Sequence, residues 1–404
     1  MKHASIVPLI GGETIASHNV FGSRTEYIMS YTPFYDNDKH LLEYYDNEVP
    51  YHVLDNGQKP SSSVDIISSV CPCAGLSMLS AGFGDHNENN KWMINTTKYV
   101  LQEAKPKVLW GENAPGFAGK IGKNVRAEML EIADEAGYSM SVYRTKSLLH
   151  GVPQVRERSF YFFWEGDKVP IFNYYNKPRV TIEDTILSAS KINSMQEVIN
   201  KKTPTDDPYY RYILEELRGG ISHAEHAATI EASSARGVCV YAYIEKQGID
   251  YLTLSKWMEK NNYPKEVEKC IYRYNKLKAG GGIMRRGIIV PKDYIGAFVG
   301  HYPVSLTHPV EDRFITYREA LSIMGMPDDF MMVKSGNKYP ANHICQNVPV
   351  RTAEDMAMEV KESLLGNRQW VKNKYMMQNN NAQDIQEEIS RDDNSLMGFF
   401  NDRL

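Results

Sequence analysis

Short apolar runs rich in β-branched and aromatic residues recur along the first 165 residues, at Tyr27 to Tyr31, Val64 to Val70, Val108 to Trp110, Tyr138 to Tyr143 and Ser159 to Trp164. Their length and composition predict strands. Between the third and fourth runs, Val125, Met129, Ile132, Ala133 and Ala136 fall on one helical face, and Gly137 supplies a stop. This alternation predicts an α/β sheet with crossover helices and parallel strands. The rhythm fades after about residue 165, and the polar break Lys201-Lys202-Thr203-Pro204-Thr205-Asp206-Asp207-Pro208 lies within mixed helical and irregular sequence. It returns at Arg313 to Phe330, where Thr316 and Glu319 have the spacing of a capping box ahead of a short helix stopped by Gly325 and Pro327. The pattern therefore predicts one domain, interrupted and resumed: residues 1–165 and 311–368, with an inserted domain at 166–310. Residues 369–404 are Asn/Gln-rich and polar, and read as a disordered tail.

Composition narrows the picture. At 404 residues the chain exceeds what one compact core usually covers. A net charge of −4 neither requires nor excludes a polyanionic partner, so local clusters must decide. Five cysteines, an odd and scattered set, form no disulfide framework, and the Cys71-x-Cys73 spacing lacks the second pair a zinc site would use. A reducing cytoplasm, prokaryotic or phage-infected, fits this usage. The apolar stretch Ile6 to Ile10 is too short for a secretion signal, and no run reaches the ~20 apolar residues of a membrane span.

Candidate chemistry lies where two apolar runs stop. Ser69-Val70-Cys71-Pro72-Cys73 presents a cysteine, and Gly111-Glu112-Asn113 presents a carboxylic acid beside an amide that would hold the loop. Open α/β sheets bind ligands outside the carboxyl ends of their strands, so Cys73 and Glu112 are expected in one site. A cysteine acts as a nucleophile through its thiolate, which nearby positive charge favours. The segment Gln154-Val155-Arg156-Glu157-Arg158 can provide that charge, because alternate residues of an extended chain point to the same side.

With these residues in order, the chain resembles the DNA cytosine-5 methyltransferases. The family's Pro-Cys loop is similar to Pro72-Cys73, its Glu-Asn-Val to Glu112-Asn113-Ala114, and its Gln-x-Arg-x-Arg to Gln154-Val155-Arg156-Glu157-Arg158. Its late Arg-x-Leu-Thr-x-Arg-Glu-Ala resembles Arg313-Phe314-Ile315-Thr316-Tyr317-Arg318-Glu319-Ala320, after His308-Pro309, and its final segment resembles Gln346-Asn347-Val348-Pro349-Val350. The resemblance covers about residues 5–165 and 305–363. It implies a Rossmann-like, doubly wound, mostly parallel sheet of the S-adenosylmethionine-dependent methyltransferase fold, with an inserted target-recognition domain. It further implies attack of Cys73 on carbon 6 of a flipped cytosine in double-stranded DNA, protonation of ring nitrogen 3 by Glu112, and stabilisation of the adduct by Arg156 and Arg158. S-Adenosylmethionine would lie against Ile10, Gly11 and Gly12, with Asp36 on the ribose, Asp55 on the adenine amino group, and Asn347 nearby.

The cofactor segment departs from the family's Asp-Leu-Phe-x-Gly-x-Gly-Gly: Ser5 replaces the acid, Val7 the aromatic residue and Leu9 the first glycine. Two further readings follow, an RNA-modifying relative and a catalytically silent DNA-binding relative. For DNA contact the resemblance favours Gln154 and the stretch from Lys269 to Lys292, which has no acidic residue and carries Lys276, Lys278, Arg285 and Arg286. His223 and His226 stand three apart without a third ligand, so no metal is expected. In the tail, Leu396, Phe399 and Phe400 resemble the short peptides by which replication proteins dock on sliding clamps.

Overall fold

The computed structural model describes residues 1–77, 82, 84, 86–231, 238–283, 285 and 287–381. The chain divides into two compact units, one made of Met1–Arg179 with residues 323–381, the other of Val180–Ser322.

In the first unit the chain runs β1 (His3–Ile6), α1 (Gly12–Phe21), β2 (Ile28–Ser30), α2 (Tyr35–Tyr44), β3 (Tyr51–Val53), β4 (Ile66–Ser69), α3 (Asn90–Tyr99), β5 (Val108–Asn113), α4 (Lys123–Ala136) and β6 (Tyr138–Lys146). It continues through β7 (Gln154–Val155), β8 (Glu157–Glu165) and β9 (Lys168–Pro170). The second unit is mainly helical, with α5 (Ile182–Ala189), α6 (Pro208–Tyr212), α7 (His223–Thr229), α8 (Val240–Lys246), α9 (Tyr251–Lys260), α10 (Pro264–Lys278) and α11 (Tyr317–Ile323). The chain then returns to the first unit with α12 (Ala341–Gln346), α13 (Val350–Leu364), β10 (Trp370–Lys372) and β11 (Tyr375–Asn379).

Eight strands form the main sheet in the order β11-β6-β8-β5-β4-β1-β2-β3. The order reverses at β1, which has β4 on one side and β2 on the other, both parallel to it. That reversal opens the crevice outside the strand ends where ligands of such sheets bind. Its central strands are buried, with Ala4, Ile6, Ile66, Ile67, Val108, Leu109, Trp110, Phe162 and Phe163 fully enclosed, while the edge strands β3 and β11 are half-exposed. Both faces are covered, as the near-continuous apolar runs require.

Two expectations need correction. The run Ser159 to Trp164 belongs to β8, which lies antiparallel to both β5 and β6. Only a tight excursion, from the end of β6 through residues 147–153, separates β8 from its neighbour, and that is too short for a helical crossover. The polar stretch from 369 also begins with structure: β10 pairs antiparallel with β9, and β11 pairs parallel with β6. Its amide side chains serve the backbone there. Gln378 accepts from Phe172 N–H at 2.9 Å and donates to Phe172 O at 3.2 Å, and Asn380 accepts from Tyr175 N–H at 3.0 Å. Leu396, Phe399 and Phe400 lie outside the described residues.

In the second unit, Tyr210, Ile213, Val240, Ile244, Leu254, Met258 and Cys270 build a separate core. The capping box at Thr316 and Glu319 forms, with Glu319 N–H donating to Thr316 at 3.2 Å and Thr316 N–H donating to Glu319 at 2.8 Å. No helix among the described residues is long and apolar enough to cross a membrane.

Candidate active site

Strand register assembles the site. Ser69, the last residue of β4, stands opposite Gly111 of β5, so the Cys71-Pro72-Cys73 turn emerges beside Glu112. Gly111 is required there, since a Cβ would lie 2.4 Å from the Tyr161 hydroxyl and 2.5 Å from Ser69 O. On the other side of β5, Glu112 faces Phe160 and Asn113 faces Ser159 of β8. Because β8 is antiparallel, its first residues meet the last residues of β5. Arg158 therefore lies against Glu112, and the two form an ion pair through Arg158 Nε and Glu112 Oε1.

Glu112 is 2 % exposed and Arg156 is 1 % exposed, so this charge cluster is held away from bulk water. Arg156 donates from Nη1 to Cys345 O at 2.9 Å. Asn113 is buried and accepts from Ala114 N–H at 2.8 Å, which holds the turn after Glu112. Cys73 itself is half-buried. Burial pushes its thiol up, the guanidinium of Arg158 pulls it down, the Glu112 carboxylate pushes it up, and Arg156 pulls it down again. The four groups thus share one electrostatic environment. The neighbouring Cys71 is enclosed, with Sγ 3.2 Å from Ser69 Oγ and 3.6 Å from Thr96 Oγ1, so only Cys73 of the pair is open to a substrate.

The turn after β1 is buried throughout from Val7 to Gly12. Gly11, the residue capping α1, has φ +94°, and a Cβ there would meet the Leu41 side chain at 2.4 Å. Gly12 N–H donates to Asn347 Oδ1 at 2.8 Å, and a Cβ on Gly12 would lie 2.1 Å from Val348 O. Asn347 thereby shapes the turn. Val7 and Leu9, at φ +52° and +55°, adopt a left-handed conformation that is costly for residues with a Cβ, most of all a β-branched one.

Two carboxylic acids overlooked in the sequence lie beneath this turn. Glu13 is fully buried and accepts from Ser5 Oγ at 2.5 Å and from Thr14 Oγ1 at 2.7 Å. Ser5, the residue standing where the family has an acid, is thus in contact with a carboxylate supplied from position 13. Burial pushes Glu13 up to about 7, and the enclosed Asp38, which accepts from Tyr51 Oη at 3.0 Å, up to about 7 as well.

Glu13 gives a direct pH prediction. Its folded pKa lies above the ordinary 4.5, so the folded state is favoured below about pH 4.5 and loses that advantage as pH rises to about 7. Glu13→Gln cannot titrate and escapes the loss. Thermal melts are expected to show the variant gaining on the wild type between pH 5 and 8, by up to roughly 3 kcal/mol. A stability difference that stays constant across that range would contradict the assignment.

Residues 10–362 match the C-5 cytosine-specific DNA methylase family. The chain belongs to that family. Type II methyltransferase M.XorII of Xanthomonas oryzae pv. oryzae is 25 % identical over 279 residues, covering 66 % of this chain and 61 % of the relative. Type II methyltransferase M.HhaI of Haemophilus parahaemolyticus is 24 % identical over 180 residues, covering 41 % and 52 %. The matched stretch thus spans about half to three fifths of these two relatives. Among solved structures, a prophage-encoded E. coli protein has a TM-score of 0.55 at 14 % identity, covering 90 % of this chain and 99 % of that one. The Entamoeba histolytica methyltransferase EhMeth has a TM-score of 0.52 at 14 % identity, covering 90 % and 98 %. These likenesses agree with the α/β, Rossmann-like methyltransferase fold of the first unit.

Against this family's pattern, Cys73, Glu112, Arg156 and Arg158 are brought together, while other expected positions fall elsewhere. Gln154 is fully buried and donates to Ile323 O at 3.3 Å, so it is withdrawn from DNA contact. Asp36 lies in the first turn of α2, exposed and 2.8 Å from Lys39 Nζ, and not at the end of β2. Asp55 is exposed just after β3 and accepts Thr32 N–H at 3.0 and 3.2 Å. Arg285 is offset by Glu245 at 2.8 Å, and Arg286 lies outside the described residues. Lys276 and Lys278 end α10, 5.7 Å and 5.9 Å from the Tyr272 and Tyr274 rings. Arg273, within the same basic stretch, is stacked among Tyr209, Tyr241 and Tyr251 and serves the second unit's core. His223 is spent on Tyr210 Oη and on His308 O, each at 2.7 Å, and among the described residues no cluster suits a metal ion.

Proposed function

We propose that this chain methylates carbon 5 of cytosine in double-stranded DNA through a covalent adduct on Cys73. The supporting observation is the convergence of one half-buried thiol with a buried Glu112–Arg158 ion pair and with Arg156 at the ends of β4, β5 and β8. The target base must leave the helix, because attack comes on its face, which stacking covers.

The Cys73 thiol gives up its proton to the Glu112 carboxylate as its sulfur bonds to carbon 6, and Glu112 passes that proton to ring nitrogen 3, which directs the electron pair to carbon 5. Arg158 keeps Glu112 oriented, and with Arg156 offsets the negative charge around the thiolate. After carbon 5 has gained the methyl group it loses its proton to a base, the carbon 5–carbon 6 double bond re-forms, and Cys73 departs as ring nitrogen 3 returns its proton to Glu112. S-Adenosylmethionine supplies the methyl group from an electrophilic sulfonium.

The residues present fit that donor. The Ile10-Gly11-Gly12 turn leads into the ten-residue helix α1, at the crevice where the strand order reverses. Asp55 retains lone pairs for an exocyclic amine, and Asn347 holds Gly12 in place. Asp36 is left out of this reading.

Incubation with labelled S-adenosylmethionine and either duplex DNA or RNA tests the proposal. Label on DNA carbon 5 is expected; label on RNA alone would favour an RNA-modifying relative, and DNA binding without label a silent one. For DNA contact, Lys276 and Lys278 are the exposed cations at the end of α10. The double variant Lys276→Ala, Lys278→Ala is expected to weaken binding equally across sequences and to reduce the slope of log Kd against log salt by about 1 to 2. An unaltered slope in fluorescence anisotropy titrations would remove these residues from the interface.

A further inference from the structure

Nucleoside-binding α/β sheets place an acid at the end of the second strand to hold the ribose hydroxyls. Here β2 ends at Ser30 and is followed by Tyr31-Thr32-Pro33-Phe34, with no acid before Asp36. Asp36 is exposed and paired with Lys39, and Asp38 is fully buried against Tyr51. In place of a carboxylate the strand end carries aromatic rings. Tyr31 and Phe34 both pack on Trp92 of α3, with ring centroids 4.8 Å and 5.2 Å away, and Tyr31 Oη lies 3.1 Å from Thr96 Oγ1. Tyr31 is buried, whereas Phe34 and Trp92 remain half-exposed. Asp55, exposed just after β3, joins this segment by accepting Thr32 N–H on both carboxylate oxygens, each of which keeps a lone pair.

We propose that this chain holds its nucleoside donor by stacking the purine against Phe34 and Trp92, with Asp55 on the exocyclic amine, and does not read the ribose diol. The proposal rests on the donor assignment above. A stacked ring and an amine contact fix the purine, while the sugar hydroxyls face no carboxylate on β2. Sugar-modified donors are then accepted. An acid on the diol would make their removal costly, roughly 10- to 100-fold in affinity for lost charge-assisted hydrogen bonds.

Calorimetric titration of the full chain with S-adenosylhomocysteine and with its 2′-deoxy and 3′-deoxy analogues tests this without relying on turnover. Dissociation constants within about fivefold of one another are expected. Analogues weaker by more than that would overturn the inference, while tight binding of the parent would still leave the donor assignment standing. If none of the three binds to a chain that melts cooperatively, the donor assignment itself falls, and this inference with it. Phe34→Ala is expected to weaken all three alike by about tenfold or more, by loss of stacking, and Phe34→Tyr to restore them. Asp36→Asn should leave affinity unchanged, and a tenfold loss selective for the parent would identify Asp36 as a diol ligand and refute the proposal. Melting curves of each variant distinguish lost binding from lost folding.

Discussion

Cys73→Ala is expected to lower methyl transfer to duplex DNA by at least about 10⁴-fold while leaving DNA affinity within a few-fold of the wild type. In the proposed mechanism every later step depends on the sulfur–carbon 6 bond, and the oriented acid and guanidinium groups would have no enamine to act upon without it. Duplex DNA carrying 5-fluorocytosine supplies the direct check. Once methylated, a carbon 5 that bears fluorine has no proton to lose, so with S-adenosylmethionine present the wild type should remain bonded to the DNA through denaturing electrophoresis, and Cys73→Ala should not. A band shift that persists in the variant would place the nucleophile elsewhere. Cys71→Ala is the matched control: that thiol is enclosed against Ser69 and Thr96, and its loss should leave adduct formation intact. The direction of the Cys73 pKa adds a pH signature. Burial holds the thiol protonated at neutral pH against the pull of Arg158 and Arg156, so the single-turnover rate of adduct formation should climb as pH rises from neutrality.

The second large effect belongs to the Glu112–Arg158 pair. Arg158→Ala leaves a carboxylate that is only 2 % exposed without its counter-ion, which costs about 3–5 kcal/mol of stability when one partner of a buried pair is removed. The same change disorders the acid, and a rate loss of about 10² to 10³ is expected beyond the folding defect. Glu112→Gln separates the two effects. Glutamine keeps the shape and an oxygen for Arg158 but cannot deliver a proton, so it should cost only about 1 kcal/mol in folding and about 10² to 10⁴ in rate. Denaturant melts and single-turnover kinetics on both variants and their double mutant give the coupling directly. A coupling near zero in stability would mean that the pair is solvated in solution, and full activity in Glu112→Gln would remove it from catalysis.

Much of the site was legible because its residues are punctuated by chain geometry. Cys73 and Glu112 each follow an apolar run, and strands of such a sheet deliver the residues after them to one edge. The donor site was less legible. Turn conformation at Val7 and Leu9 is not the one their side chains prefer, and the carboxylate at position 13 touches Ser5 only after α1 has folded back on β1. Asp36 reads as the acid after the second strand by spacing, but a short helical turn at Thr32–Phe34 carries it into α2. Gln154 fits the motif and yet its amide is consumed by the carbonyl of Ile323, a partner 169 residues away that no local pattern announces.

Sequence by itself singled out Cys73, Glu112, Arg156 and Arg158 as candidates and predicted the α/β alternation, since these depend on residue type and on periods of two and 3.6 along the chain. Only the tertiary structure decided the direction of β8. Had that strand run parallel, as its apolar run suggested, Arg158 would begin at the far end of the sheet from Glu112. The short turn after β6 sends it back antiparallel, so that the start of β8 meets the end of β5 and the ion pair forms. Strand composition reports burial, and burial is the same in either direction; the length of the connection and the pairing register are what fix which end of a strand reaches the site.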